Sequence, residues 1–290
     1  MRVGISQVQY ILGSNHTPVT ELTWSSELHN IMHGNGLDRV YASNDRHIRD
    51  MLSELLCQFE DRPDYIILAH SLPYLFGSAE VPEPLQYIPF IDISGIPCCI
   101  LHRGVQLAVS LVQKGIHQRV LAVGLDKCYA DYERLFFGTA MSDIAIGLMI
   151  EAECPNNEIL SSLINTTIIA ANGVYSAPES VAAFRLKNPS FVRTAILECL
   201  KHAQVKPEDL DYIVCHTSNT KIWDQVSGLM RLPRDKFLDI NIPKTGHMNS
   251  NDSFYHYFDY VRRGVIKAGQ KVMLVNPGFG GSQGCTLILR

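Results

Sequence analysis

The sequence predicts a mixed α/β protein made of two duplicated halves, with helices layered on both faces of its sheets. Two observations carry that prediction. Short, continuous apolar runs, the mark of strands buried on both faces, alternate with segments of helical periodicity. The order of these elements in the first part of the chain then recurs in the second. A helical segment, Arg62-Pro63 and the run DYIILA (64–69) end in His70-Ser71; a helical segment, Pro207-Glu208 and the run DYIVC (211–215) end in His216-Thr217-Ser218. Gly115 follows His70 by 45 residues and leads into QRVLAV, and Gly264 follows His216 by 48 residues and leads into QKVMLV. Self-similarity on this scale indicates duplication. The hydrophobic pattern breaks at Cys154 to Ile159, dividing the chain into an N-terminal half, 1–154, and a C-terminal half, 155–290.

The elements follow in order. Met1 to Leu12 reads as a strand, and Thr17 to Arg39 as one helix ending in the turn Gly34-Asn35-Gly36. Ser43-Asn44-Asp45 is expected to cap a helix over Arg46 to Phe59, where Ile48, Met51, Leu52, Leu55 and Leu56 share one face. After the buried run at 64–69 comes a loop with Pro73, Pro82 and Pro84. Phe90 to Gly115 then reads as a strand, a turn carrying Cys98 and Cys99, and a largely apolar helix. Arg119 to Gly124 and Ala140 to Glu151 are further strands; Phe191 to Ala203 is the helix that opens the second repeat.

Composition narrows the function. The 290 residues, 46% of them hydrophobic, suffice for two cores, and 25 basic against 29 acidic residues leave a net charge of -4. With no basic run, a nucleic-acid partner is not expected. No apolar run reaches the roughly 18 residues of a membrane span, and the start goes straight into a strand pattern rather than a signal peptide. The eight cysteines form no CxxC pair and read as reduced thiols of a cytoplasmic protein. Neither they nor the eleven histidines show the spacing of a structural zinc site.

Cys98 falls where a strand stops and a helix starts, where unpaired N–H groups and the positive end of the helix dipole favour thiolate. A cysteine in such an apolar stretch is more usually a small core residue. The repeat adds to the first reading. Cys98 lies 17 residues before Gly115, and 17 residues before Gly264 lies His247, in TGHMNSNDS with Asn249 and Asp252. If the halves pack about a pseudo-twofold axis, the two helix starts face one another and bring this polar cluster to Cys98.

With these pieces in hand, the chain resembles the thiolase superfamily, and most closely its ketoacyl-ACP synthase III group. The resemblance runs over nearly the whole length. It rests on FIDISG before the Cys, the helix to QKG followed by RVLAVGLD, and LFFGTAMSDIAIGLMI where the family carries FGDGAGA. It rests also on His216-Thr217-Ser218-Asn219 in place of H-x-x-N, and on Phe279-Gly280-Gly281-Ser282 before the last strand. The resemblance implies a thiolase fold of αβαβα layers, a homodimer, and a Cys nucleophile, Cys98, acylated by a CoA or carrier-protein thioester. Cys99 would be its buried neighbour and no resident cofactor would be needed. It implies His216 as general base or hydrogen-bond donor, with Asn219 shaping the same corner. The backbone N–H of Cys98 with that of Gly280 or Gly281 would form the oxyanion hole.

One departure bears on the reaction. The family's third residue is Asn; here counting places His247 there, with Asn249 and Asp252 close behind. G-H-x-x-x-x-D is similar to the subgroup in which Cys-His-Asp moves acyl groups onto hydroxyl or amine acceptors. A carboxylate would make an imidazole a better base toward O–H or N–H, and would repel a malonyl carboxylate. Acyl transfer to a small-molecule O or N acceptor in secondary metabolism is therefore the expectation. Decarboxylative condensation to a 3-ketoacyl thioester is the alternative, and a non-catalytic partner subunit a third. A helix-cap role for Asp252 or Asn249 stands beside the catalytic one. The link from Ile150 to Asn188 lacks the pattern expected of an acyl-pocket cover, and only Trp24 and Arg39 offer themselves as a grip on the CoA adenine.

Overall fold

The structure, a computed structural model, describes all residues except 23–24, 73–86, 137, 155, 171, 173–174 and 219. Trp24, Asn219 and the three prolines of the loop after His70 lie outside the described residues. The first half supplies strands β1 (Val3–Leu12), β2 (Tyr65–Ala69), β3 (Phe90–Ile93), β4 (Arg119–Asp126) and β5 (Ile144–Ala152). The second supplies β6 (Glu158–Thr166), β7 (Tyr212–Cys215), β8 (Phe237–Leu238), β9 (Lys271–Pro277) and β10 (Ser282–Leu289). The spatial order is β3-β2-β4-β5-β1 in one half and β8-β7-β9-β10-β6 in the other, the same order displaced by five. Directions match as well: β2 runs parallel to β3 and β4, and β7 to β8 and β9, while the β4–β5–β1 and β9–β10–β6 neighbours are antiparallel. An antiparallel pairing of Gly4 with Glu158 joins the halves into one ten-stranded sheet.

Alternation along the strands sorts the side chains into layers. Ile67 and Ala69 of β2, with Val120 and Ala122 of β4, face the central core, whereas Ile66, Leu68, Leu121 and Val123 face outward. In the other half Val214, Val272 and Leu274 point to the central core and Ile213, Met273 and Val275 away from it. The central layer is filled by α3 (Ile100–Gln113) and α6 (Asp252–Arg262). Leu101, Val105, Ala108 and Val112 recur at helical spacing on α3 and are all buried. The helices meet where the rings of His102 and Phe254 lie 4.7 Å apart. Outside, α2 (Ile48–Cys57) covers the first half through Ile48, Met51, Leu52 and Leu55, and α4 (Pro178–His202) with α5 (Lys221–Met230) covers the second. The result is the αβαβα layering of the thiolase fold.

Three elements differ from expectation. The segment expected as one helix over 17–39 is a helix only over α1 (Ser26–Gly34), capped by Ser25; Asn15–Pro18 and Arg39–Ala42 pair as a two-stranded ribbon. The cap of α2 is His47, whose Nδ1 accepts the Arg49 N–H at 3.2 Å, rather than a residue of Ser43 to Asp45. Finally, α4 starts at Pro178 and runs through Pro189, so the link to the second half does contain a helix. Pro189 reads as a breaker because it lacks an N–H and crowds the preceding turn. Pro178 at the first turn, where no N–H is needed, and burial of Phe184, Pro189 and Val192 support the longer helix.

Candidate active site

Both central helices begin at the same place. Cys98, ahead of α3, has φ 61°, and Asn249, ahead of α6, has φ 52°. The left-handed region costs a side chain roughly 1–2 kcal/mol, so both turns are held by specific bonds. Asn276, near the end of β9, supplies them: its Nδ2 donates to the Cys98 carbonyl at 2.8 Å and to the Asn249 carbonyl at 3.2 Å. One side chain thus ties the two helix starts together. The Cys98 N–H donates to Ser71 Oγ at 3.3 Å. From the first half, β4 reaches the start of α6: a Cβ on Gly124 would sit 1.7 Å from Asn251 Oδ1, so this position requires glycine. Asp126, fully buried at the end of β4, accepts the N–H groups of Ser71 and Leu72 at 2.7 and 2.9 Å and the Asn251 amide at 3.0 Å. Burial, partly countered by those N–H groups, pushes its pKa up to about 6.

Cys98 Sγ lies 3.6 Å from His247 Nε2, and His247 Nδ1 lies 2.8 Å from Asp252 Oδ2. The Met248 N–H donates to Asp252 Oδ1 at 2.6 Å and the Thr217 N–H to Oδ2 at 3.1 Å, so the carboxylate is fixed on both oxygens. His216 Nε2 is 3.4 Å from the same Oδ2 but out of line for a hydrogen bond, and its Nδ1 faces Ser218 Oγ at 3.1 Å. The His216 and His247 rings stand edge to face, centroids 4.6 Å apart. The backbone of His247 is held by the first half: its N–H donates to the Ala140 carbonyl and its carbonyl accepts the Ser142 N–H, each at 2.8 Å.

The shared carboxylate divides the two imidazoles. Burial would lower the pKa of both. At His247 the attraction and hydrogen bond of Asp252 overcome it and raise the pKa to about 10. At His216 burial prevails and lowers it to about 3. Asp252 itself is held well below the usual carboxylate range, His247 outweighing desolvation. Burial pushes the Cys98 thiol up against the pull of His247. Cys99 is buried, its sulfur against the Asn276 carbonyl at 3.0 Å, and burial raises its pKa to about 12.

A cavity of about 610 Å³ opens onto Cys98, His216 and His247, bounded by Phe184 and Arg185 of α4, Lys221 of α5 and the turn Pro277 to Phe279. Gly280 and Gly281 sit one step beyond that turn with φ 93° and 116°, and the Gly281 N–H is directed at the Gly278 carbonyl at 3.4 Å. The Asn249 amide donates to Met141 Sδ at 3.6 Å. Arg39 contacts His16.

The structure thus brings together Cys98, His216, His247 and Asp252, and the imidazole touching the sulfur is His247. Sequence position assigned the base to His216. Ser71, Asp126 and Asn276 were not singled out. Only their places at the ends of β2, β4 and β9 hinted at them, since chain ends of buried strands converge on the site.

The layered fold with a strained Cys at a central helix start is the fold of the thiolase superfamily. In sequence the chain is similar to the ketoacyl-ACP synthase III group. Residues 200–289 match the model of the 3-oxoacyl-[acyl-carrier-protein] synthase III C-terminal region. The chain is 24% identical to the beta-ketoacyl-[acyl-carrier-protein] synthase III of Fusobacterium nucleatum, over 87% of each protein. Its fold is similar to that of 3-oxoacyl-[acyl-carrier-protein] synthase III from Aquifex aeolicus VF5, with a TM-score of 0.81 at 20% identity, covering 99% of this chain and 100% of that one. It is similar also to that of ChlB3, an acyltransferase by name, with a TM-score of 0.83 at 16% identity, covering 100% and 98%. Among the described residues no helix is long and apolar enough to cross a membrane.

Proposed function

We propose that the protein is a Cys-dependent acyltransferase of secondary metabolism that takes an acyl group from a CoA or carrier-protein thioester and passes it to an oxygen or nitrogen acceptor. The observation that carries this reading is the buried Asp252 carboxylate on His247 Nδ1, with the opposite ring nitrogen facing the Cys98 sulfur. This is the arrangement of a carboxylate-oriented imidazole serving a nucleophile.

In the first half-reaction His247 Nε2 holds the Cys98 proton while the thiolate attacks the thioester carbonyl. As the intermediate collapses, the donor carbon–sulfur bond breaks and His247 protonates the leaving thiolate. In the second, the now neutral His247 takes the proton of an O–H or N–H acceptor as it attacks the Cys98 thioester. The carbon–sulfur bond breaks and the proton returns to Cys98. An imidazole held at about 3 is a poor base, so His216 acts instead as a neutral N–H donor to the carbonyl oxygen. Lys221 and Arg185 at the cavity wall suit the phosphate of either thioester donor. Phe90 and Ile91, 40% and 43% exposed on the edge strand β3, favour the homodimer that the family resemblance implies.

Intact mass after incubation with acyl-CoA or acyl carrier protein tests the reading. An adduct is expected in the wild type and in Cys99→Ala, and none in Cys98→Ala; an adduct surviving in Cys98→Ala overturns it. The edge-to-face pair of imidazoles beside Cys98 favours a second reading, since two N–H donors could hold the enolate oxygen of a decarboxylating malonyl group. Carbon dioxide release from a malonyl thioester distinguishes the two. The absence of any adduct would instead point to a non-catalytic partner subunit.

A further inference from the structure

We propose that the unacylated site is also a site for a zinc-class divalent cation, held by Cys98, His216 and His247, and that the metal-bound form cannot be acylated. This rests on the reading of Cys98 as the acylated residue. One ligand atom of each side chain, the sulfur and two ring nitrogens, lies within 4.8 Å of the others, and all three residues are buried. Zinc bonds of about 2.3 Å to sulfur and about 2.0–2.1 Å to nitrogen, at tetrahedral angles, put sulfur and nitrogen about 3.6 Å apart. Cys98 Sγ and His247 Nε2 stand 3.6 Å apart already.

Independently of the cluster, His216 Nε2 is a fully buried nitrogen with no hydrogen-bond partner among the described residues. An orphaned imidazole nitrogen beside a thiol becomes a ligand position once its ring carries the proton on the other nitrogen. Outer contacts of the kind that orient metal-bound histidines are in place: Asp252 Oδ2 at 2.8 Å from His247 Nδ1, and Ser218 Oγ at 3.1 Å from His216 Nδ1. The cavity reaches all three ligands and leaves the fourth position to water, the pattern of an open rather than a closed zinc site.

Binding balances in protons. Cys98 releases its thiol proton and binds as thiolate, His247 releases any proton on Nε2 while keeping that on Nδ1 for Asp252, and His216 moves its proton from Nε2 to Nδ1, giving up the 3.4 Å bond from the Ser218 N–H and donating to Ser218 Oγ. No electron moves. The thiolate and Asp252 together offset the charge of the ion, and affinity rises with pH as these protons leave.

Cobalt(II) titration of the metal-free protein tests the site. The expected result is a near-ultraviolet sulfur-to-metal charge-transfer band with the intense visible bands of a tetrahedral ion, saturating at one ion per chain and displaced by zinc. Cys98→Ala should abolish the charge-transfer band, as should alkylation of Cys98 in the wild type, which needs no refolded variant. Asp252→Asn should weaken binding by about 10–100-fold. Stoichiometric zinc should block formation of the acyl adduct, and chelation should restore it. No charge-transfer band, or acylation unaffected by zinc, overturns the proposal. A band lost on Cys98 alkylation in a protein that no thioester acylates would sink the acyltransferase reading and leave the metal site standing.

Discussion

Asp252 is the residue that separates the two imidazoles of the site. Its hydrogen bond to His247 raises that ring to about 10, whereas His216, 3.4 Å from the same oxygen and out of line with it, stays near 3. Asp252→Asn keeps the shape, removes the charge, and frees the amide to present N–H to a ring that also presents N–H. Acyl loading should fall by about 10²–10⁴-fold, the range of general acid–base and triad-orienting effects, and the alkaline limit of the pH–rate profile should move down. Stopped-flow release of CoA across the pH range measures both, and a profile unmoved in Asp252→Asn would remove the carboxylate from the mechanism. The same shift has a consequence for stability. A group raised from 6.5 to about 10 stabilises the fold fully below pH 6.5 and loses that contribution as pH rises through about 10, so Asp252→Asn should flatten the decline of stability over that interval. At this scale the sequence was legible in part. Equal spacing of Cys98 and His247 from Gly115 and Gly264 brought the cluster to the thiol. The choice between His216 and His247 was not legible, because it depends on ring orientations set by Thr217 and Met248 N–H groups bonding one carboxylate.

The element that holds His247 belongs to the other half. Residues 140–142 clamp its backbone on both sides, and Ser142 Oγ donates to the Thr245 carbonyl at 2.6 Å. That segment is itself held by Asp143, whose oxygens accept Arg134 at 2.7 and 2.9 Å, the Ser43 N–H at 2.7 Å and the Cys128 N–H at 2.9 Å. Lys127, also fully buried, lies 3.8 Å from it. Removing the carboxylate leaves buried Lys127 with backbone carbonyls alone and buried Arg134 with only the half-exposed Asp131, 3.5 Å away, as counter-charge. Asp143→Ala should therefore cost about 3–5 kcal/mol, against about 2–5 kcal/mol for a cavity such as Leu101→Ala in α3. Urea unfolding of both variants is the measurement. Loss of acyl loading in Asp143→Ala alone, at equal folded fraction, would show that the clamp positions His247 in addition to stabilising the fold. Most elements were legible because buried strands and amphipathic helices announce themselves by period. The start of α4 was not, since Pro189 carries a local signal against the helix that packing of Phe184 and Val192 overrides.

Across the whole molecule the duplication was the most legible feature, since identical strand orders require similar runs in the same sequence. What the sequence concealed is how many ionisable groups the joined halves bury between them. His102, His216 and His256 are buried and held neutral, burial lowering them to about 3, 3 and 4. Each has an ordinary value of 6.5, so between pH 6.5 and about 4 the unfolded chain binds the proton that the folded one refuses. Their combined effect is three protons taken up on unfolding. Asp126 works in the opposite direction: raised from 3.8 to about 6, it holds a proton in the folded state that the unfolded chain releases over most of that window. Asp252, held low, adds its loss only below pH 3.8. His247 is protonated in both states below 6.5 and drops out. The balance is close to two protons, or about 2.7 kcal/mol of stability lost per pH unit near pH 5. A fold with about 5–15 kcal/mol in hand cannot sustain that over more than a few units. Proton uptake on urea unfolding at pH 5, read in unbuffered solution, should be about two per chain above the contribution of the exposed groups. His102→Gln, which touches neither Cys98 nor the cavity, should reduce it by about one, and an unchanged uptake in that variant would show that His102 is not held neutral in the core.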